Sequence, residues 1–349
     1  MISKNLYICK MKTWLLGKSL DQLREIVVNM SLPAFSAKQI AEWIYKKNCK
    51  DIMQMSNISK ANRDRLSEQY QVGGFSPEKV TLSSDGTKKY LFPSLCETFI
   101  ESVTIPEDDR VTLCVSSQAG CRMGCKFCMT ARVGYKGNLT AGEIISQLQN
   151  VEESDKITNI VFMGMGEPLD NFGEVSGAIN ILTADWGFAW SPKRITVSSI
   201  GIHEPLIDFL NDYKCHIAIS LHNPFEEERL EFVPAQKAWP FARTLEIIRR
   251  FDFTGQRRVS FEYIMFDGWN DSKRHADALI RTLKGLECRV NLIRFHQIPD
   301  FPYKPTPNAK IELFRERLNK EGLIATIRAS RGEDILAACG MLSGKNINK

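Results

Sequence analysis

Three cysteines lie within eight residues of one another, at Cys121, Cys125 and Cys128. This C-x3-C-x2-C spacing offers three thiolates from one loop to one metal centre. A cubane iron–sulfur cluster contains four irons, each of which takes an outside ligand, and thiolates are the usual donors. Three protein ligands leave one iron open to a substrate or cofactor, as in a catalytic zinc site. The loop therefore favours a reactive [4Fe-4S] cluster over a structural one.

Two other interpretations of the cysteine loop stay open. Zinc loops usually repeat a second pair of ligands some distance along the chain. The other seven cysteines stand singly, so no second pair exists in this sequence. The remaining alternative is three unrelated thiols that share a loop by chance.

Composition places the chain among soluble globular proteins, with 43% hydrophobic and 25% charged residues over 349 positions. This length suits one large domain and a small one. No apolar run reaches the ~18 residues of a membrane span. Lysines interrupt the first twenty residues, which argues against a signal peptide, and both Met1 and Met11 are candidate starts. Unpaired cysteines are typical of the reducing cytoplasm, so we expect a cytoplasmic protein without membrane contacts.

The positive charge is unevenly distributed along the chain. Residues 1–80 contain 13 Lys and Arg against 7 Asp and Glu, whereas the remainder has 33 against 34. A basic module beside a near-neutral body is a plausible footprint for nucleic acid. A solvated helical surface explains the same charge equally well.

The N-terminal part reads as short helices followed by a hairpin. Ser19, Ser36 and Ser59 are placed to cap three helices between residues 19 and 70. Asp85-Gly86 is a turn signal within a β-hairpin or meander over residues 80–105. Alternating residues from Phe99 to Val103 fit one of its strands.

Beyond residue 110, apolar strand patterns alternate with helical ones. The strand candidates are Val111–Ser116, Asn159–Met163, Arg194–Ser198, His216–Ser220, Arg258–Met265, Arg289–Phe295 and Ile324–Arg328. Helical patterns between them include Ala141–Glu152 and Pro205–Asn211. Repeated βα units predict an α/β fold with a parallel sheet, either a barrel or an open doubly wound sheet. In both folds the chemistry lies at the carboxyl ends of the strands, where the cysteine loop follows the first of them.

Other polar groups also follow predicted strands. Gly166 and Glu167 lie in a glycine-rich turn, where Glu167 could accept hydrogen bonds from an amino group. Ser198 ends one strand, and Ser220, Leu221 and His222 end the next. Each alone reads as a turn or capping group, and only their shared edge with the cysteine loop makes them binding candidates.

Two further cysteines have two readings each. Cys339 precedes Gly340 near the C-terminus, and burial of a structural cysteine is the simpler explanation. Cys114 lies on the strand that leads into the cysteine loop, either in the core or in the site. The residue types alone leave both undecided.

The chain resembles the RlmN/Cfr family of radical S-adenosylmethionine enzymes, which methylate adenine in RNA. The resemblance rests on the cysteine loop from Gly120 to Thr130, on Gly-Met-Gly-Glu-Pro at 164–168, and on Ala-Ala-Cys-Gly at 337–340. It covers nearly the whole chain. The stretch 33–45 is similar to the small helical RNA-binding domain of this family.

The resemblance implies a partial (β/α) TIM-type barrel, a small N-terminal helical domain and a hairpin extension. It places the domains at residues 1–80, 81–109 and 110–345. It also assigns the [4Fe-4S] cluster to Cys121, Cys125 and Cys128, and S-adenosylmethionine to the open iron and to Gly166, Glu167, Ser198, Ser220, Leu221 and His222. The family often has an asparagine after the strand at 289–295, where this chain has His296, and a hydrogen bond to the cofactor from that histidine is expected in its place.

The resemblance further implies a covalent mechanism with two S-adenosylmethionine molecules per turnover. The first methylates Cys339, and the second yields a 5′-deoxyadenosyl radical that takes hydrogen from the new S-methyl group. The methylene radical then adds to an adenine carbon, Glu101 accepts the proton, and Cys114 closes a transient disulfide with Cys339 to release the product. Adenine C2 has no nucleophilic lone pair, so radical chemistry avoids the missing attacking atom.

The implied partners are 23S rRNA, tRNA and a flavodoxin-like or similar electron donor, with a monomeric enzyme. The RlmN branch methylates C2 of an adenine in the peptidyl-transferase centre and of an adenine in the tRNA anticodon loop. The Cfr branch methylates C8 of the same rRNA adenine. Residues 331–335 favour the RlmN branch. Two rival classes remain: a non-catalytic zinc-bound RNA-binding protein, and a radical enzyme acting on a small molecule or a protein.

Overall fold

The computed structural model describes residues 12–254 and 257–344. The N-terminal elements are β1 (Thr13–Trp14), α1 (Leu20–Asn29), α2 (Ser36–Ala41), α3 (Lys60–Gln69) and β2 (Tyr70–Gln71). A π-helical turn (Glu42–Lys46) and a 3-10 turn (Ile52–Gln54) lie between α2 and α3, and β1 pairs in parallel with β2. The predicted helices are present, whereas the segment before residue 12 lies outside the described residues.

The helix caps agree with the sequence at two of three positions. Ser19 caps α1 through a capping box with Gln22, and Ser59 caps α3. Ser36 is wrong as a cap: it is buried as the first residue of α2, with Phe35 in the cap position. Its amide already donates to the Pro33 carbonyl at 2.9 Å, so the turn begins earlier than the serine indicated.

The predicted hairpin forms four antiparallel strands: β3 (Lys79–Leu82), β4 (Lys88–Pro93), β5 (Phe99–Glu107) and β6 (Arg110–Cys114). Asp85-Gly86 forms the turn between β3 and β4, where Gly86 has φ +85°. The hairpin is continuous with the main sheet because β6 also pairs in parallel with the next barrel strand.

A two-stranded ladder brackets the cysteine loop. It pairs β7 (Gln118–Ala119) with β8 (Gly137–Asn138), and the short α4 (Met129–Arg132) lies between them. The parallel strands then follow as β9 (Asn159–Phe162), β10 (Ile195–Ser199), β11 (His216–Ser220), β12 (Val259–Met265), β13 (Cys288–Arg294) and β14 (Ala325–Ile327). All seven predicted parallel strands, counting β6, occur within about two residues of their expected ends.

The outer layer consists of helices that alternate with these strands: α5 (Ala141–Gln149), α6 (Phe172–Thr183), α7 (His203–Asp212), α8 (Glu226–Phe232), α9 (Phe241–Ile248), α10 (Lys273–Leu283) and α11 (Asn308–Lys320). Each turns an apolar face inward; α10, for example, buries Ala276, Leu279 and Leu283. The sheet is open, in the order β14-β13-β12-β11-β10-β9-β6-β5-β4-β3. The predicted partial barrel is thereby confirmed.

The N-terminal elements pack along α5. Gly17 approaches so closely that a Cβ there would lie 2.2 Å from the Gly142 nitrogen. At the other end of α5, Gln149 donates to the Ile44 carbonyl at 2.7 Å. The described part of the chain contains no helix of the length and apolarity that crossing a bilayer requires.

Candidate active site

The three cysteines of the loop line one cavity at the carboxyl ends of the strands. Cys121, Cys125 and Cys128 are partly buried around a space of about 160 Å³, hereafter the cysteine cavity. The Cys128 amide donates to the Cys125 carbonyl at 3.1 Å, and Cys128 then occupies the cap position of α4. Gly120 makes the loop possible, because it has φ +78° and a Cβ there would lie 1.7 Å from the Gly134 oxygen.

The thiols of this cavity fit a cationic cluster. Burial raises the pKa of Cys121 to about 12, and it also raises the pKa values of Cys125 and Cys128. Negative charge on the neighbouring loop sulfurs raises the pKa values of Cys121 and Cys125 further. Three thiolates therefore need a positive partner in the same place, and the irons of a cluster provide that charge.

Glu167 is buried at the edge of the cysteine cavity and is held by backbone groups. Its carboxylate accepts hydrogen bonds from the Leu169 amide at 3.1 Å and the Ile200 amide at 3.0 Å. Burial nevertheless raises the pKa of Glu167 to about 7. Each carboxylate oxygen can accept a second bond, so the side chain can also bind an amino group in the cavity.

The glycines of the Gly-Met-Gly-Glu-Pro turn have a structural role. A Cβ on Gly164 would lie 2.6 Å from the Val115 oxygen, and one on Gly166 would lie 2.7 Å from the Gln118 nitrogen. Gly166 also has φ +102°. Close packing against the chain between β6 and β7 therefore requires both glycines, while the turn still lines the cysteine cavity.

Ser198 and Ser220 lie at the ends of β10 and β11 and line the same cavity. Leu221 is fully buried and does not belong to the described lining of that cavity. Its carbonyl accepts a hydrogen bond from Arg229 Nε at 3.0 Å, so Leu221 shapes the turn after β11. The structure thus brings the two serines to the cysteine cavity and keeps the leucine in the core.

His222 lies against the cysteine cavity in a defined protonation state. It has φ +59°, and its ring packs edge-on against Phe127 at 5.1 Å between centroids. Burial and the Arg229 charge lower the pKa of His222 to about 3, so the ring is neutral. The Ile264 amide donates to Nδ1 at 3.3 Å. The proton is therefore assigned to Nε2, which can donate a hydrogen bond.

Cys339 connects two cavities. It lines the cysteine cavity and also a larger space of about 560 Å³ on the concave side of the sheet, hereafter the lumen cavity. Cys114, the last residue of β6, lines the lumen cavity as well. Burial raises the pKa of Cys114 to about 12, a nearby Cys339 charge adds to this, and Arg328 opposes it. Both cysteines are free thiols, so the predicted disulfide between them is not formed.

The chain around Cys339 docks onto the site through several hydrogen bonds. The Met129 amide donates to the Gly340 carbonyl, and the Thr130 hydroxyl donates to the Leu342 carbonyl, each at 2.7 Å. Upstream, Asp334 accepts from the Ser83 hydroxyl at 2.5 Å, in the turn between β3 and β4. The hairpin and the cysteine loop therefore hold residues 332–344, hereafter the C-terminal segment.

Glu101 is covered by the C-terminal segment. Its buried carboxylate pairs with Lys89 at 3.1 Å and accepts from the amides of Ser343 and Gly344 at 2.7 and 3.0 Å. Glu101 belongs to the described lining of neither cavity, and Leu342 lines both of them. The predicted proton acceptor thus lies next to the site but behind the segment.

Comparison with known proteins points to one family over nearly the whole chain. Residues 115–279 match the model of the Radical SAM superfamily, and residues 13–72 match that of the ribosomal RNA large subunit methyltransferase N-terminal domain. A probable dual-specificity RNA methyltransferase RlmN of Porphyromonas gingivalis is 55% identical over 94% of this chain and 96% of its own length. The chain belongs to the RlmN family of radical SAM methyltransferases. The dual-specificity RNA methyltransferase RlmN of Syntrophus aciditrophicus is 42% identical over 95% of this chain and 96% of its own.

A solved structure supports both the family and the fold. The crystal structure of a radical SAM methyltransferase from Sphaerobacter thermophilus matches with a TM-score of 0.89 and 36% identity. The match covers 95% of this chain and 100% of the other. As a radical SAM enzyme, this RlmN-family member uses a [4Fe-4S] cluster and S-adenosylmethionine, and the cysteine cavity contains the donors that suit them.

His296 is not among the described residues that the structure brings to the cysteine cavity, and its contact with the cofactor stays a prediction for this RlmN-family member. It lines the lumen cavity, with Nε2 at 3.1 Å from the Ser330 hydroxyl and Nδ1 at 3.2 Å from the Glu333 carboxylate. It is absent from the described lining of the cysteine cavity. Because both ring nitrogens contact the chain around residues 330–333, the ring positions the start of the C-terminal segment.

Two charged residues of the site were missed in the sequence. Glu262 on β12 and Arg328 after β14 line both cavities and face each other at 3.4 Å. Burial lowers the pKa of Arg328, but the charge of Glu262, followed by those of Cys339 and Cys114, raises it, and the net shift is upward. A glutamate inside the apolar run of β12 was the available signal, since buried charges usually have a partner or a function.

Proposed function

We propose that this enzyme methylates C2 of adenine 2503 in 23S rRNA and C2 of adenine 37 in tRNA, through an S-methyl group on Cys339. Both the curated relatives and the N-terminal family model support RNA as the substrate. The observation that carries the proposal is the position of Cys339, whose side chain joins the cofactor side of the site to the lumen cavity.

Bound in the cysteine cavity, the cluster and S-adenosylmethionine supply the methyl group and the radical that activates it. Cys121, Cys125 and Cys128 would hold the cluster. S-adenosylmethionine would be held by Gly166, Glu167, Ser198, Ser220 and His222. Glu167 would accept hydrogen bonds from the amino group of the cofactor, and neutral His222 would donate one. Cys339 is the thiol that lines both cavities, so it would face this cofactor on one side and a base in the lumen cavity on the other.

Cys114 is the proposed partner for release of the product. Both thiols line the lumen cavity, and the charge of Cys339 helps to raise the pKa of Cys114. The guanidinium of Arg328 opposes the rise in the pKa of Cys114, which favours the thiolate that attacks in disulfide formation. The proposed disulfide is transient and follows the chemistry on the adenine.

Glu101 is the proposed proton acceptor, and its use requires the C-terminal segment to move. The amides of Ser343 and Gly344, which follow Leu342, both donate hydrogen bonds to Oε2 of Glu101. If these two residues were displaced, the ion pair between Glu101 and Lys89 would remain. The Glu101 carboxylate would then be exposed toward the lumen cavity.

Several parts of the proposal rest on the family alone. They are a flavodoxin-like or similar electron donor, a monomeric state, a cytoplasmic location and the domain division at residues 80 and 109. The N-terminal helical domain, residues 1–80, would bind the RNA, and residues 110–345 would carry out the chemistry.

Mass spectrometry of digested RNA tests the proposal. Enzyme with its cluster, a reductant, S-adenosylmethionine and unmodified large-subunit rRNA or tRNA are combined without oxygen. 2-Methyladenosine is the expected product. 8-Methyladenosine would assign the chain to the Cfr chemistry, and no methyladenosine from cluster-loaded enzyme would refute RNA methylation.

The variant Cys339→Ala separates the covalent mechanism from cofactor binding. We expect it to keep the visible absorbance of the cluster and to lose both the S-methylcysteine and the methylated RNA. Cys215→Ala is the matched control, since Cys215 is a buried thiol outside the described lining of both cavities. Normal methylation by Cys339→Ala would show that the covalent mechanism is wrong.

A further inference from the structure

The lumen cavity extends from Cys339 to the opposite end of the barrel. At one end it is lined by Cys114 and Cys339. At the other it is lined by residues where the strands begin: Arg110 and His216 are the first residues of β6 and β11, Lys193 precedes β10, Arg258 precedes β12, and Arg289 follows the first residue of β13. The inside of the sheet is therefore accessible from the amino ends of its strands.

This second opening is strongly cationic. Arg110, Lys193, Arg258 and Arg289, hereafter the cationic rim, are all exposed. Among the described residues that line this end, Glu107 is the acidic one, and it pairs with Arg110. Three cations thus face the opening without a carboxylate from the cavity wall.

The pKa of His216 is affected by the same positive charges. It lies on β11 between the strands that Lys193 and Arg258 precede, and its Nδ1 accepts from the Arg258 amide at 3.1 Å. Burial lowers the pKa of His216, and the charges of Arg258 and Lys193 lower it further. The cations are therefore close enough to act together on one bound anion.

One part of the basic N-terminal module lies at the same end. A helix between parallel strands runs antiparallel to them, so the C-terminal end of α5 lies beside the amino ends of the strands. There Lys50 donates to the Gln149 carbonyl at 3.2 Å and to Asn150 Oδ1 at 3.0 Å, and the ring of Tyr45 packs 5.8 Å from Trp186. These contacts place residues 45–50 of the module at the same end of the barrel as the cationic rim.

We propose that the cationic rim binds backbone phosphates of the RNA strand that carries the target adenine, and that the unstacked base reaches Cys339 through the lumen cavity from this end. The inference rests on the proposed function, because it takes RNA as the substrate. Phosphodiesters match exposed arginine and lysine. A space of about 560 Å³ lies within the range of pockets that enclose small ligands, so it admits a nucleotide taken out of its stack.

The salt dependence of RNA binding tests the rim. The triple variant Lys193→Gln, Arg258→Gln, Arg289→Gln is compared with a control of equal charge change, Lys237→Gln, Lys273→Gln, Lys304→Gln. The control lysines are exposed and follow β11, β12 and β13 at the opposite end. Cluster-loaded enzyme binds unmodified rRNA fragment or tRNA over about 50 to 200 mM KCl.

We expect the rim variant to lower the slope of log affinity against log salt by ~2, from three lost contacts to a single strand at ~0.7 each, and the control to leave it unchanged. Arg258→Lys should retain the wild-type slope. Methylation of Cys339 without RNA should be normal in the rim variant, which excludes misfolding. Equal slopes for rim variant and wild type, or a loss confined to the control, would overturn the proposal. A wild type that binds RNA through the rim but makes no methyladenosine would refute the proposed function instead.

Discussion

The buried carboxylate of Glu167 costs the folded chain free energy whenever it is ionised. Its pKa rises from 4.5 to about 7 because burial outweighs the hydrogen bonds from Leu169, Ser199 and Ile200. A factor of ten in proton affinity corresponds to about 1.36 kcal/mol. The raised pKa therefore predicts that ionisation of Glu167 lowers the stability of the cluster-free protein by about 3 kcal/mol.

The sign of the pH dependence follows from proton binding. Between pH 4.5 and about 7 the folded chain holds the Glu167 proton while the unfolded chain has released it, so stability falls as pH rises through this window. Below pH 4.5 the contribution is fully present, and above about pH 8 it is lost. Glu167→Gln cannot titrate and lacks this component.

Urea unfolding of the cluster-free protein measures the effect. Wild type and Glu167→Gln are unfolded under reducing conditions at pH 5 and at pH 8, and the difference between their unfolding free energies is compared at the two values. Comparing across pH removes any constant cost of the amide in this site. We expect the variant to gain about 2.5 kcal/mol relative to wild type between pH 5 and pH 8, because a small part of the effect is already lost at pH 5. A difference that is the same at both pH values would refute the assignment of a raised pKa to this carboxylate.

Three further predictions concern the surroundings of Glu101 and Cys114. Lys89→Met leaves the buried Glu101 without its counter-charge and should cost about 3 kcal/mol of stability in urea unfolding; an unchanged midpoint would contradict a buried ion pair. Ending the chain at Leu342 removes both amide donors to Glu101. This truncation should lower the free energy of unfolding by about 2 kcal/mol and speed proteolysis of the C-terminal segment. An unchanged rate of cleavage would contradict the docking of this segment. Arg328→Met removes the cation that opposes the raised pKa of Cys114, so alkylation of this thiol at pH 8 should slow, and an equal rate would disprove the contact.

Local patterns were sufficient to predict the parallel strands, whereas the partial barrel was implied by the family resemblance. The parallel strands are short runs of β-branched, aromatic and other apolar residues, such as Ile195–Ser199 and Val259–Met265. These signals lie within a few residues, so they can be recognised in the sequence without knowledge of tertiary contacts. Ser36 failed because a turn at Pro33 had already satisfied the helix start.

The shape of the site was harder to predict because it depends on distant contacts. The amide of Ser343 meets Glu101 across 242 positions, and the hydroxyl of Ser83 meets Asp334 across 251. The spacing of apolar residues along the sequence gives no indication of such a long-range pair. His296 illustrates the same limit: its position in the chain suggested the cofactor, whereas its contacts are with Ser330 and Glu333.

The C-terminal segment couples two residues that the proposed mechanism uses at different times. Cys339 and the amides that cover Glu101 lie five residues or fewer apart in one segment, anchored upstream by Asp334. A base is needed only after a bond has formed between the Cys339 methylene and the adenine. At that stage the proposed bond would join the same segment to the RNA, and displacement of Ser343 and Gly344 would free Glu101. The carboxylate would then be uncovered when a proton is ready to leave, and would stay covered while the radical is generated.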